Sequence, residues 1–234
     1  MPTTPEGFHQ RLDALQQELI AQGRRVQSLA ETAFDAVFAR DPVAAARVPQ
    51  LDEAIDRVDV EIEKACVALL TDACGTGCTL DPARLRHVLT IVKVNNELER
   101  IADVGVSIAE EARLYQGAGA GPPATFRVLA NSVVGIIRDA TTCLDRADPE
   151  LARVVLLSEE AAGQFKKALV RDAQDQLAKG RMTLDFALAL IETAALCLVM
   201  ADHCTNIAEQ VMYSATGTIV RHMEGHWEEV RLPS

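Results

Sequence analysis

The sequence predicts an all-α protein of six long helices forming two similar three-helix bundles, and three observations carry that prediction. Almost half of the residues are apolar but only 4% are aromatic, with Ala and Leu dominant, which suits helix packed on helix better than sheet. Apolar residues recur at spacings of three and four over long stretches, and no segment shows convincing period-two alternation. Finally, Ala102-Asp-Val-Gly-Val-Ser-Ile-Ala-Glu110 recurs without a gap as Ala201-Asp-His-Cys-Thr-Asn-Ile-Ala-Glu209. The shared Ala-Asp pair and Ile-Ala-Glu triplet at matched spacing indicate one unit used twice.

Each helix follows from its own residues. Phe8, Leu12, Leu15 and Leu19 begin a stripe that continues through Val26, Leu29, Ala33 and Val37. Asp41-Pro42 ends it and opens a second helix, with Asp at the cap and Pro in the first turn. That helix carries Val48, Leu51, Ile55, Val58, Ile62 and Leu69 and stops at Gly75-Thr76-Gly77. Asp81-Pro82 starts a third, with Ile91, Val94, Leu98, Ile101, Gly105, Ile108 and Ala112 as its stripe. Gly117-Ala-Gly-Ala-Gly-Pro-Pro123 reads as the linker between halves. A fourth helix is expected from Ala124 to Arg146. A fifth opens at Asp148-Pro149 and carries Leu151, Val154, Leu157, Ala161 and Ala168. The last, after Lys179-Gly180, runs through Leu190, Thr193, Cys197, Met200, Cys204, Ile207 and Val211 to Thr216-Gly217. Short connections make each half an up-down-up bundle. The domain expectation is therefore 1–118, 119–217 and a polar tail, 218–234, with Trp227 docking onto the body.

A net charge of −11 argues against sequence-independent DNA binding, which needs basic patches for phosphates. It also makes a direct anion site unattractive, and fits a cytosolic protein with a cation site or a basic partner. The N-terminus shows no basic region followed by an apolar core, so no signal peptide is expected. The apolar stretch from Phe186 to Ala201 contains Glu192 and is short for a bilayer span, so membrane association is expected only through partners. Cys66, Cys197 and Cys204 fall in apolar patterns, as small hydrophobes do. Cys74 and Cys78 form a loop pair with spacing unusual for zinc. His9, His87, His222 and His226 are scattered and suit surface or capping roles, with Arg221-His222 as a helix-end cation pair.

The carboxylates are the chemically informative residues. Glu99 and Asp103 are four apart and share one face of the third helix, at the edge of the packed seam. Asp52, Asp56, Asp59 and Glu63 occupy a similar edge of the second helix, one residue beyond Leu51, Ile55, Val58 and Ile62. If these helices are antiparallel neighbours, two acidic edges meet. Two readings stay open at this point. A hard oxygen-bound cation would neutralise such a cluster, whereas a solvated acidic flank would pair with Arg57 and Arg100. The second half has lost the set: Leu198 stands at the counterpart of Glu99, and Val155, Ser158, Ala162, Phe165 and Leu169 line the fifth-helix edge. Only Asp202 remains, with His203 beside it as a secondary ligand candidate.

Taken together, Glu97-Leu-Glu-Arg-Ile-Ala-Asp103, Ala201-Asp-His-Cys-Thr-Asn-Ile-Ala-Glu209, Asp52-Glu-Ala-Ile-Asp56 with Glu61-Ile62, and Tyr213-Ser-Ala-Thr-Gly-Thr-Ile-Val-Arg-His222 resemble the PhoU family of phosphate-uptake regulators over nearly the whole chain. The resemblance implies a six-helix molecule of two three-helix bundles. It implies metal-ligand roles for Asp52, Asp56, Glu99 and Asp103, with Asp202 the remnant of a second site. The metal would be a divalent or iron cluster (Fe, Mn, Zn or Mg), at one site rather than two. It further implies a non-enzymatic negative regulator of phosphate uptake and Pho-regulon signalling. Its partners would be the ATPase subunit of the Pst transporter and a PhoR-type sensor histidine kinase, both at the inner face of the membrane. A homodimer is expected, with no direct nucleic-acid contact. No Gly-rich phosphate loop, nucleophile elbow or His-Glu-x-x-His is present to suggest catalysis. The alternative is a carboxylate-bridged, di-iron-like helical-bundle enzyme. Such enzymes also place Glu-x-x-His pairs in the bundle core, and Glu99 has no His three residues on.

Overall fold

The computed structural model describes residues 5–77, 79–112, 121–223 and 226–230. Six long helices form the body: α1 (Pro5–Ala39), α3 (Val48–Gly75), α4 (Pro82–Glu111), α5 (Ala124–Arg146), α6 (Pro149–Ala178) and α7 (Leu184–Thr216). A four-residue helix, α2 (Pro42–Ala45), and a C-terminal hairpin, β1 (Ile219–Met223) and β2 (His226–Val230), complete the described elements.

The helix starts are built by the Asp-Pro device. The carboxylates of Asp41, Asp81 and Asp148 each accept backbone N–H bonds from the following first turn, where Pro has no donor to leave unsatisfied. Thr183 does the same for α7 through its hydroxyl oxygen, which accepts from the Phe186 amide. Gly217 ends α7 in the left-handed region at φ 73°.

In the first half α1 packs on α3 and α4; in the second, α5 and α6 pack on α7. Contacts of α1 with α5 and of α4 with α7 join the halves through one continuous apolar core. At the α1–α5 seam Phe126 sits against Phe34 and Phe38, with ring centroids 6.4 and 5.2 Å away, and the Arg127 guanidinium lies 4.0 Å over Phe38. Where α1, α4 and α7 converge, Gly105 leaves no room for a Cβ. One placed there would collide with Leu29 and touch Met200 at 3.5 Å.

Four expectations need correction. The second helix does not run on from Asp41-Pro42. It breaks after α2 and restarts at Val48, because Pro49 has no N–H for the Ala45 carbonyl and its ring would crowd that carbonyl. Two stripes are misplaced: Leu51 is not a core residue but 41% exposed, and on α6 Val154, Leu157, Ala161 and Ala168 are exposed while Ala152, Val155, Leu156, Ala162 and Leu169 are buried. The stretch expected to be a polar tail forms an antiparallel hairpin, with Ile219 opposite Val230 and His222 opposite Trp227, and Val220 buried where β1 packs on α7. Arg221-His222 therefore lies in a strand, not at a helix end; the docking expected of Trp227 lies outside the described side chains. Lastly, α7 as a whole is long and apolar enough to cross a membrane, unlike the shorter stretch read from the sequence. Half of its most apolar window is buried, since α4, α5 and α6 all pack on it, and the central helix of a bundle meets the same length and composition test. The linker expected around 117–123 and the boundary at 118/119 fall largely outside the described residues.

Candidate functional site

α3 and α4 pack against each other and turn Ile55, Ile62, Leu98 and Ile101 into the core. A helical residue one position beyond a core residue emerges at the rim of the interface. Asp56 and Glu63 emerge there from α3, and Glu99 and Asp103 from α4, while Asp52 and Asp59, three residues before Ile55 and Ile62, reach the same rim. Asp52, Asp59 and Glu99 are half-buried; Asp56, Glu63 and Asp103 are exposed. The two acidic edges thus meet along one ridge.

The charges on this ridge feel one another. Burial, then Asp56 and Asp103, push the Asp52 carboxyl up to about 6. Burial raises Glu99 as well, helped by Asp103, Asp59 and Asp56 and opposed by Arg100. Asp59 is raised by burial, then Glu63 and Asp56, against a lowering hydrogen bond from Asn95, whose Nδ2 donates to Asp59 Oδ1 at 2.6 Å. Among the described residues no Lys or Arg forms an ion pair with any of the six carboxylates: Arg57 instead donates from Nε to the Glu53 carbonyl. Asp52 Oδ1 is buried with no hydrogen-bond partner.

These properties fit a hard cation: the donors are all carboxylate oxygens, one buried oxygen is unpartnered, and burial with mutual repulsion raises the proton affinities of Asp52, Asp59 and Glu99. The side chains as they stand are not drawn in. Among the described residues no three His, Cys, Asp or Glu groups lie close enough to hold a metal ion.

The corresponding edge of the second half is different in kind. Leu169 and Ala162 are buried, Phe165 and Leu198 are half-buried against the core, and Ser158 Oγ donates to the Val154 carbonyl. Asp202 is exposed. Its neighbour His203 turns away to α4, where Nδ1 lies 2.7 Å from Glu97 Oε2. A carboxylate only accepts, so Nδ1 carries the proton. Asn206 Nδ2 donates to the same oxygen at 3.2 Å. Burial pushes the Glu97 carboxyl up, but the His203 and Asn206 hydrogen bonds and the His203 and Arg100 charges outweigh it and hold the group below its ordinary range.

Glu97, His203 and Asn206 were not singled out as one cluster by the sequence. The available signal was the polar spacing His203, Asn206 and Gln210 along an otherwise apolar helix. The thiols are passive: burial pushes Cys66 up to about 11 and Cys143 up to about 12, and raises Cys197 and Cys204 further still. Cys74 is exposed, and Cys78 lies outside the described residues, as do the His222 and His226 side chains. His9 accepts from Arg84, and His87 pairs with Gln16 Oε1 at 3.1 Å.

With this geometry in place, comparison with known proteins gives one consistent result. The sequence model of the PhoU domain matches residues 19–112 and again 126–211, one match in each half. The phosphate-specific transport system accessory protein PhoU homolog of Pseudomonas putida is 28% identical over 92% of this chain and 83% of its own length. The accessory protein PhoU of Serratia marcescens is 26% identical, covering 93% of this chain and 88% of that protein. Among solved structures, the phosphate transport system regulatory protein PhoU from Streptococcus pneumoniae superposes with a TM-score of 0.82 at 21% identity, over 92% of this chain and all of that one. PhoU from Pseudomonas aeruginosa gives 0.80 at 24% identity, over 90% and 100%.

Proposed function

This chain belongs to the PhoU family, and from that premise we propose that it is a non-enzymatic accessory regulator of phosphate-specific transport. The observation that supports this reading most is the matching of the family's domain twice, once in each half. In finer terms, we propose that the protein restrains the Pst phosphate transporter when phosphate is plentiful, docking on its ATPase subunit and on a sensor histidine kinase. It would act in the cytoplasm, peripheral to the inner membrane through those partners, as a homodimer built from repeats spanning 1–118 and 119–217.

The acidic ridge is proposed to hold a metal, with Asp52, Asp56, Glu99 and Asp103 as its ligands and Asp202 as the vestige of a second site. A bound cation supplies the positive charge the ridge lacks. The chain's own contribution is to hold the carboxylates at the rim of the α3–α4 seam, with the Asp52 Oδ1 oxygen free to accept. The carboxylate-bridged enzyme draws no support here: the ridge has no histidine at its positions, and His203 is engaged by Glu97.

Affinity capture of the tagged chain from native membranes, in phosphate-rich and phosphate-starved cells, tests the adaptor reading. Recovery of the transporter ATPase subunit or a sensor kinase, greater in rich medium, is the expected result. Recovery of neither in either condition would overturn it.

A further inference from the structure

On the side of the molecule where α4 crosses α7, a crevice of about 650 Å³ opens between the two halves. It is lined by Lys93, Asn96 and Glu97 from α4 and by Asn206, Glu209 and Gln210 from α7. Neither half contains it alone. Among the described residues its wall is acceptor-rich: the Glu97 carboxylate and three side-chain amides stand beside one ammonium, with the Glu209 carboxylate already engaged. Glu97 Oε2 is taken by His203 and Asn206, but Glu97 Oε1 accepts no hydrogen bond among the described residues. Gln210 is only 7% exposed, and its Oε1 is buried without a partner.

A buried acceptor left unpaired is costly, and native proteins rarely keep one without an occupant that satisfies it. The missing complement is a group with several N–H donors and a positive charge. We propose that the crevice binds a guanidinium or primary ammonium group, seated between Glu97 and the amide oxygens of Asn96, Asn206 and Gln210. A forked guanidinium matches a carboxylate edge with two parallel N–H bonds. Exposed Lys93 lies at the wall of the same crevice and repels such an occupant, limiting its affinity. The chemistry is the same whether the group arrives on a free amine or on a partner protein's arginine. This site is separate from the acidic ridge and does not depend on the regulatory reading above.

Calorimetric titration of the full chain with agmatine, and in parallel with a capped arginine dipeptide, tests the proposal and separates the two sources. Saturable binding of both means the group is read wherever it is carried. Binding of one alone identifies the source. Glu97→Gln should weaken binding roughly ten-fold, the effect of losing a charge-assisted hydrogen bond. Lys93→Ala should strengthen it. Glu63→Gln, which removes an equal charge from the ridge, should leave it unchanged. Because Glu97→Gln could loosen the α4–α7 seam, Lys93→Ala at its exposed position decides independently. No saturable binding of either probe would overturn the proposal, as would weaker binding in Lys93→Ala or equal losses in Glu63→Gln and Glu97→Gln.

Discussion

Asp52 and Glu97 are both acids on the rims of packed helices, and the structure gives them opposite electrostatics. Asp52 is raised to about 6 from an ordinary 3.8. Between those values the folded chain binds more protons than the unfolded one, so stability falls as pH rises, and the full penalty is present above pH 6. In metal-free protein Asp52→Asn should therefore raise stability at pH 7, by about 1 kcal/mol once solvent screening is allowed for, and the gain should vanish below pH 4. Urea unfolding at several pH values in chelator checks both signs. Glu97 is depressed, so its stabilisation is present above the ordinary value of 4.5 and is lost as pH falls through the lower folded value. Glu97→Gln should cost about 1–3 kcal/mol at pH 7, because His203 and Asn206 lose a charged acceptor. The same unfolding series, read for the difference at pH 7 against pH 3, measures it. Of these two residues the ridge member was legible from four-residue spacing. The Glu97–His203 bond was not, because it joins residues 106 apart across the two halves and no periodicity encodes it.

The helices themselves were largely written in their ends. Asp81-Pro82 and Asp148-Pro149 announce α4 and α6 because one carboxylate satisfies first-turn amides that proline does not need. Asp148→Ala should cost about 1 kcal/mol in global stability, measured by thermal or urea unfolding. Less legible were Pro49, whose missing donor splits α2 from α3, and the hairpin, whose two five-residue strands are too short to declare an alternation beside such long helices. Gly105 marks the tightest approach of α1, α4 and α7. Gly105→Ala gains helix propensity but forces the fully buried Leu29 to move, so it should lower stability by about 1–3 kcal/mol and reduce the melting temperature. An unchanged melting temperature would show that the seam can relax.

Across the whole molecule, the duplication is asymmetric in chemistry although symmetric in plan. α4 and α7 occupy equivalent places and meet each other, but α4 presents carboxylates at its outer rim where α7 presents Leu198 and a lone Asp202. That same α6–α7 edge is also distinct in charge: a groove of about 480 Å³ there is lined by Lys166, Lys167 and Arg171 with Val170 and Leu198. The architecture was legible because an apolar stripe at helical spacing has few alternatives. The chemical asymmetry of the two repeats was legible only as residue losses at matched positions, and its geometry required the packed structure. On the proposal above, the first repeat alone holds a cation. Metal content per chain, measured by mass spectrometry after loading with iron or manganese and exhaustive desalting, tests it most directly. Metal should be retained in the native chain and in Asp202→Asn, and lost in Asp52→Asn combined with Glu99→Gln. No retained metal in the native chain, or equal loss in Asp202→Asn, would contradict it.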